Sequence, residues 1–320
     1  MSTASVPLFG LARYRENGSI RLGIVAGDQI RPVSRDELGA ADLNDFLATA
    51  PAGWQRLEQL AEDGAPRLSL DDVDLAAPVE PRQVLQAGAN YREHVIELVA
   101  AGLTNNTDRT PEEARTFAAE MMDERAASGE PYFFIGLPAA IAGPRDVLRL
   151  PASGTTHDWE LELAVVIGRE AFQVSREQAH EHIAGYTIVN DVTTRELVFR
   201  QDMKEIGTDW YRAKNAPGFL PTGPVLAPPD RVDVDNARIS LALNGEIRQD
   251  STTGDLLFDI PALISAASST MPLLPGDLLL TGSPPGNGQH WKRFLQDGDV
   301  MSGSITGLGT QNVPCRKWES

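Results

Sequence analysis

His157-Asp158-Trp159-Glu160-Leu161-Glu162-Leu163-Ala164-Val165-Val166-Ile167-Gly168 is the stretch on which the reading of this 320-residue chain turns. From Leu161 to Ile167 every residue but Glu162 is apolar, and Gly168 closes the run. A short apolar run of this kind reads as a buried strand. Side chains alternate along a strand, so Glu160 and Glu162 point to the same side. Two carboxylates held together in apolar surroundings repel each other and lose hydration. At least one must then take up a proton, or a cation must sit between them. A hard divalent cation resolves the conflict. The alternative is an exposed edge where both acids meet water, and the long apolar continuation argues against it.

Other candidate groups lie outward from this strand. Gly185-Tyr186-Thr187-Ile188-Val189-Asn190-Asp191 reads as a second apolar strand that ends on a carboxylate. With Asp191 added, three oxygen ligands suit Mg²⁺ or Mn²⁺ better than zinc. Taken alone, a strand-terminal Asp is more often a turn residue. Upstream, Gly88-Ala89-Asn90-Tyr91-Arg92-Glu93-His94-Val95-Ile96-Glu97 runs from a strand through a turn into a helix, placing His94 and Glu97 three apart on one face. A histidine oriented by a carboxylate is a standard general base, while an arbitrary His-x-x-Glu is more often a surface ion pair. The chain has four lysines, and Lys214 falls in a loop-like segment where a flexible cation could meet an anionic substrate or a developing enolate. A solvated lysine is the commoner case. Arg195 can bind a carboxylate with both arms of its planar fork.

The organisation is strand-dominated α+β. Residues 8–34 read as short strands joined by Asn17-Gly18 and Gly27-Asp28 turns, and Leu43 to Leu60 reads as weakly helical. An acidic, Pro-containing connector suggests a boundary near residues 78–82, giving a small β-rich N-terminal domain over 1–80 and a catalytic domain over 81–320. Thr110-Pro111-Glu112-Glu113 is a capping box that starts a helix running to about Ala127. Together with residues from about 99 it forms a helical insertion over 99–130. A mobile cover and a solvated surface hairpin are equally good readings of it.

Composition excludes several classes. Lys+Arg number 28 against 45 Asp+Glu, a formal charge of −17 with no dense basic run, so nucleic acid is not an expected partner. Hydrophobic residues at 42% and charged residues at 23% fit a globular protein rather than a disordered one. The single cysteine, Cys315, cannot form an internal disulfide. The opening residues lack a basic region followed by an apolar core, and no apolar stretch reaches the length of a membrane span, so no membrane partner and a cytoplasmic location are expected. Gly-x-Ser-x-Gly, the phosphate-binding glycine loop and the dinucleotide glycine fingerprint are all missing. His180 and His182 sit in what looks like a capped helix, where residues two apart make a poor chelate.

Taken in order, the motifs resemble the fumarylacetoacetate hydrolase family. They are Gly88 to Tyr91 through His94 and Glu97, Asp158 to Leu163, Gly185-Tyr186 through Asp191 and Arg195, Lys214, Gly223-Pro224, Asn244-Gly245-Glu246, Leu274 to Asp277, and Thr281 to Gly286. The resemblance covers roughly residues 82–315. It implies a mixed β-sandwich roll with flanking helices, a homodimer, and a Mg²⁺ (or Mn²⁺) ion held by Glu160, Glu162 and Asp191. It also implies that His94, supported by Glu97, activates a water, that Lys214 and Arg195 hold a substrate oxyanion or carboxylate, and that Tyr91 and Ser283 lie near the substrate. The chain departs from the family at Gly136, where many members have a lysine, and at Val198, where the family has a frequent glutamine. These departures hold back any transfer of oxaloacetate decarboxylase activity.

The expected chemistry is metal-dependent hydrolysis of a carbon–carbon bond in a small anionic 2-oxo or 2,4-diketo acid of the acylpyruvate type. A lyase or isomerase acting on a 2-oxo acid through the same metal site is the second reading. A non-catalytic metal-binding protein that keeps the fold is the third.

Overall fold

The computed structural model describes residues 7–318; the first six and last two residues of the expected domains lie outside the described residues. Strands β1 (Phe9–Glu16), β2 (Ser19–Ala26), β3 (Gln29–Val33), β4 (Leu68–Ser69) and β5 (Asp74–Ala76) form one sheet in the order β4-β3-β2-β1-β5. Helices α1 (Arg35–Leu38), α2 (Leu43–Leu47) and α3 (Ala52–Ala61) lie between β3 and β4, with the helical stretch interrupted at Pro51. Asn17 and Gly18 both take positive φ at the β1–β2 turn, as a tight hairpin requires.

The central sheet is mixed, with the order β12-β11-β17-β6-β7. Its strands are β6 (Val84–Gly88), β7 (Tyr132–Gly136), β11 (Leu161–Ile167), β12 (Ile183–Asn190) and β17 (Leu278–Leu280). A third sheet contains β9 (Leu148–Leu150), β15 (Arg238–Leu243), β16 (Glu246–Thr252), β18 (Val300–Ile305) and β19 (Gly309–Lys317). Two small pairs complete the strands: β8 (Ile141–Ala142) with β14 (Leu220–Pro221), and β10 (His157–Asp158) with β13 (Thr193–Thr194). The remaining helices are α4 (Arg92–Asn106), α5 (Pro111–Ser128), α6 (Trp210–Lys214), α7 (Ile260–Thr270) and α8 (Gly288–Trp291).

Strand β11 is apolar throughout because both its faces are covered. Leu161, Leu163, Val165 and Ile167 enter the core shared with the third sheet. Ala164 and Val166 enter a second core, made with Phe9, Leu11, Ile24, Trp54 and Leu57 of the N-terminal part. Each such Leu, Val or Ile contributes roughly 1.5–3 kcal/mol by leaving water. The N-terminal sheet is therefore packed into the catalytic part. Leu11 exchanges backbone hydrogen bonds with Leu226, and the Trp54 indole N–H donates to the Ala184 carbonyl at 2.8 Å. These contacts leave the proposed division at residue 80 a division of sequence between parts that share one core.

Helices α4 and α5 form the expected hairpin, which starts earlier than residue 99, at Arg92. Thr110 and Glu113 make the reciprocal capping box at the start of α5. Two expectations are corrected. The segment with His180 and His182 is a short 3₁₀ turn, Ala179–His182, rather than a capped α-helix. Lys214 is not in a solvated loop: it ends helix α6 and is 2% exposed.

Candidate metal centre

The start of β11, the end of β12 and the loop after β17 converge on one point. Glu160 precedes β11 and is fixed by its neighbours: its backbone N–H donates to the Asn190 side chain at 2.9 Å, and its carbonyl accepts from Asp191 N–H at 2.8 Å. Glu162 lies within β11 and Asp191 just after β12. One carboxylate oxygen from each of Glu160, Glu162 and Asp191 lies within 4.8 Å of the others. The spacing expected from the sequence is thus realised. Two of the three are dry, with Glu162 2% and Asp191 0% exposed, while Glu160 keeps an edge toward solvent at 9%.

Lys214 enters this cluster from α6. Its ammonium donates to Glu160 Oε2 at 2.7 Å, Asp191 Oδ2 at 2.5 Å and Thr193 Oγ1 at 2.7 Å. The short helix that delivers it is capped by Asp209 and docked by Trp210, which stacks on Phe134 of β7 at 4.7 Å between ring centroids. The ammonium lies 5.0 Å from the Phe134 ring centroid, a cation–π contact inside a desolvated site. Arg195 closes the other side, donating to Asp158 Oδ2 at 2.7 Å and Glu160 Oε1 at 2.5 Å. Asp158 also accepts the Gly288 and Gln289 N–H groups, which ties this network to the loop that carries α8.

The electrostatics follow from these contacts. Burial pushes the Glu160 carboxyl up, but Arg195 and Lys214 outweigh it and hold the group at about 2. Burial, together with neighbouring Asp191 and Glu160, drives Glu162 well above the ordinary carboxylate range. Asp191 is raised by burial to about 6 even with Lys214 pulling it down. Lys214 stays charged despite burial because Asp191 and Glu160 face it.

These residues fit a divalent cation on two counts. The donors are hard carboxylate oxygens. Among the described residues, four buried acids, Asp158, Glu160, Glu162 and Asp191, also meet only the two cations Arg195 and Lys214, so with all four ionised the cluster would lack two positive charges. Glu162 carries the deficit. Among the described residues its one hydrogen bond comes from Gly282 N–H at 2.7 Å, a neutral donor. Gly282 has φ of 100° and an added Cβ would sit 3.0 Å from Asn90 Cβ, so only glycine presents its N–H there without strain.

His94 stands in the first turn of α4, half-buried, with Glu160, Arg195 and His290 as its ionisable neighbours. Burial lowers it to about 4, so it is neutral near pH 7. Glu97 is not bonded to His94. Its carboxylate instead lies 3.5 Å from Nδ1 of His290 on α8. Tyr91 is wholly buried, and its hydroxyl has no hydrogen-bond partner. Ser283 is 9% exposed and accepts from Gln249 Nε2 at 2.9 Å. The sequence reading did not single out Asp158, Thr193, Phe134, Trp210, Gln86 or His290 as site residues. Of these, only Gln86 leaves a local sign, as a lone amide inside an otherwise apolar strand.

The chain belongs to the fumarylacetoacetate hydrolase family, because the family model described as fumarylacetoacetate (FAA) hydrolase C-terminal matches residues 83–315. Members of this family include hydrolases, isomerases and tautomerases. The chain is similar to a maleylpyruvate hydrolase of Aquipseudomonas alcaligenes, 31% identical over 318 residues, covering 96% of this chain and 99% of the relative. It is similar also to a mitochondrial oxaloacetate tautomerase of Xenopus laevis, 32% identical over 276 residues, covering 85% of this chain and 77% of the relative. Among solved structures, maleylpyruvate hydrolase from Sphingobium sp. SYK-6 in complex with manganese(II) and pyruvate matches with a TM-score of 0.71 at 27% identity, covering 97% of this chain and all of that one.

Proposed function

We propose that this protein is a divalent-metal-dependent hydrolase that cleaves a carbon–carbon bond in a β-diketo acid of the acylpyruvate or 2,4-diketo acid type. The carrying observation is a trio of buried carboxylates with a neutral histidine close by. A similar maleylpyruvate hydrolase over nearly full length supports the hydrolytic reading. Glu160, Glu162 and Asp191 would hold Mg²⁺ or Mn²⁺, which would supply Lewis-acid polarisation to the 2-oxo-acid end of the substrate. His94 takes a proton from water, and the resulting hydroxide attacks the carbonyl distal to the acid. The bond between that carbon and the methylene then breaks, giving a carboxylate and an enolate, which takes a proton to become the 2-oxo acid. Lys214 and Arg195 supply the positive charge that the enolate and the substrate carboxylate need. Glu97 supports the base only through His290, which it meets at 3.5 Å and which neighbours His94, and Tyr91 and Ser283 line the substrate.

Tautomerase or related lyase chemistry on a 2-oxo acid is the second reading, favoured by the similarity to an oxaloacetate tautomerase. NMR of products from a 2,4-diketo-acid panel, with and without chelator, separates the two. Two carbonyl fragments formed only with metal support hydrolysis; carbon dioxide, a hydrated product or an equilibrated tautomer supports the alternative. We assign a homodimer to the same reading, supported by exposed apolar side chains such as Ile135 and Ile206, and light scattering tests it. Among the described residues no helix is long and apolar enough to cross a membrane, and we place the enzyme in the cytoplasm.

A further inference from the structure

Gln86 is the middle residue of β6 and is 0% exposed. Pairing across the central sheet sets Ala164 of β11 beside Leu280 of β17, and Leu280 beside Gln86. Side chains of paired residues share a face, so Gln86 lies on the same face as Ala164 and Glu162. From there its Nε2 donates to Asp191 Oδ1 at 2.5 Å. Lys214 holds the other oxygen, Oδ2, at the same distance. Both oxygens of the carboxylate are thus fixed, one by a charged donor and one by a neutral amide.

The amide is an unusual occupant of that place. Its own carbonyl oxygen, Oε1, is buried and has no partner, a cost normally avoided in a core. Turning the amide over would set that oxygen against Asp191 and repel it, so the carboxylate dictates the orientation. Room for it comes from the neighbouring strand. Gly136 of β7 pairs with Val84 of β6, and a Cβ on Gly136 would lie 2.7 Å from Gln86 Oε1, 3.1 Å from its Cδ and 3.1 Å from Val84 Cγ1. That is closer than a side-chain carbon can approach without displacing the amide.

We propose that Gln86 is a positioning residue for the metal centre, orienting Asp191 as a ligand, and that Gly136 serves it by leaving the space the amide fills. This rests on the reading of the carboxylate trio as a metal site. The pair acts as one unit: an amide where β6 is otherwise apolar, and a missing side chain on the strand beside it. Gln86 touches neither the ion nor the substrate, and acts through Asp191.

The test is Mn²⁺ binding to the full chain, followed by electron paramagnetic resonance, with turnover measured separately. Wild type is expected to bind one ion per chain; failure to bind any overturns the metal reading and this inference with it. Gln86→Met keeps the volume and removes the donor, and it is expected to weaken Mn²⁺ binding by about 10- to 100-fold, as loss of a group that orients a ligand does. Gly136→Ala is expected to weaken it similarly by pushing the amide aside. The double variant Gln86→Ala/Gly136→Ala is expected to bind no worse than Gln86→Ala alone, because the added methyl then meets no amide and only Val84 Cγ1, at 3.1 Å. Circular dichroism in chelator verifies that each variant is folded. Wild-type Mn²⁺ affinity in a folded Gln86→Met protein overturns the role of Gln86. Equal penalties from Gly136→Ala in both backgrounds overturn the role given to Gly136.

Discussion

The ammonium of Lys214 sits 2.5 Å from Asp191 Oδ2 and 2.7 Å from Glu160 Oε2, so two of the three carboxylates are bridged by one buried cation. The side chain thereby makes the acidic cluster tolerable in the absence of an ion, and on the proposed mechanism it also adds positive charge where an enolate would form.

Removing that charge leaves buried acids uncompensated. Lys214→Met is expected to lose roughly 3–5 kcal/mol of stability in chelator, the usual cost of breaking a buried ion pair from one side. Denaturant unfolding measures it. Added Mn²⁺ should raise the stability of the variant more than that of wild type, since the ion replaces part of the missing charge.

The pH dependence follows from His94. Burial disfavours its charged form more strongly than Glu160 favours it, and the group titrates at about 4. A base must be deprotonated to work, so at saturating Mn²⁺, which keeps Glu162 and Asp191 ionised, kcat/KM should hold as pH falls through 6.5, the ordinary histidine range, and decline only near 4; without saturating metal the loss should begin higher, as Asp191 protonates at about 6. His94→Ala should lose about 10²- to 10⁴-fold in rate, the typical worth of a general base, and lose that acid limb.

Glu97 and His290 allow a sharper test of how the base is supported. Their contact is partly exposed, with side chains 34% and 45% accessible, so His290→Ala should change stability by less than about 1 kcal/mol. Glu97→Gln should lower turnover while Mn²⁺ affinity stays unchanged, because Glu97 makes no contact with the carboxylate trio. Parallel unfolding, binding and rate measurements separate these effects.

The N-terminal sheet is expected to be indispensable for folding. Cutting the chain to residues 81–320 would expose Ala164, Val166, Leu278 and Leu280, which pack against Phe9, Leu11, Ile24 and Trp54. Such a fragment should aggregate or lose its near-ultraviolet circular dichroism, and a well-folded fragment would refute the shared core.

How much of this was readable in the sequence depended on range. Strand β11 was legible because a strand covered on both faces must be apolar, and the intruding glutamates stood out against it. Helix α5 announced itself through the Thr110–Glu113 box, a contact only three residues long. Lys214 did not, because a five-residue helix has little propensity of its own and owes its place to Trp210 docking on β7, far away in sequence. For the same reason the partner of Glu97 escaped notice: His290 comes from α8, near the other end of the chain. Gln86 left a trace, a polar residue in an apolar strand, whose meaning needed the neighbouring Gly136.

The helical hairpin carries a small core of its own, built from Val95, Ile96, Ala118 and Met122, whereas the three acids hang from the sheet. The proposed base and the proposed ligands therefore hang from different elements, joined where Leu257 packs against both cores. A protease that nicks the turn between the two helices should disable water activation and spare ion capture, so that the two halves of the chemistry can be dissected without changing a single side chain in the centre.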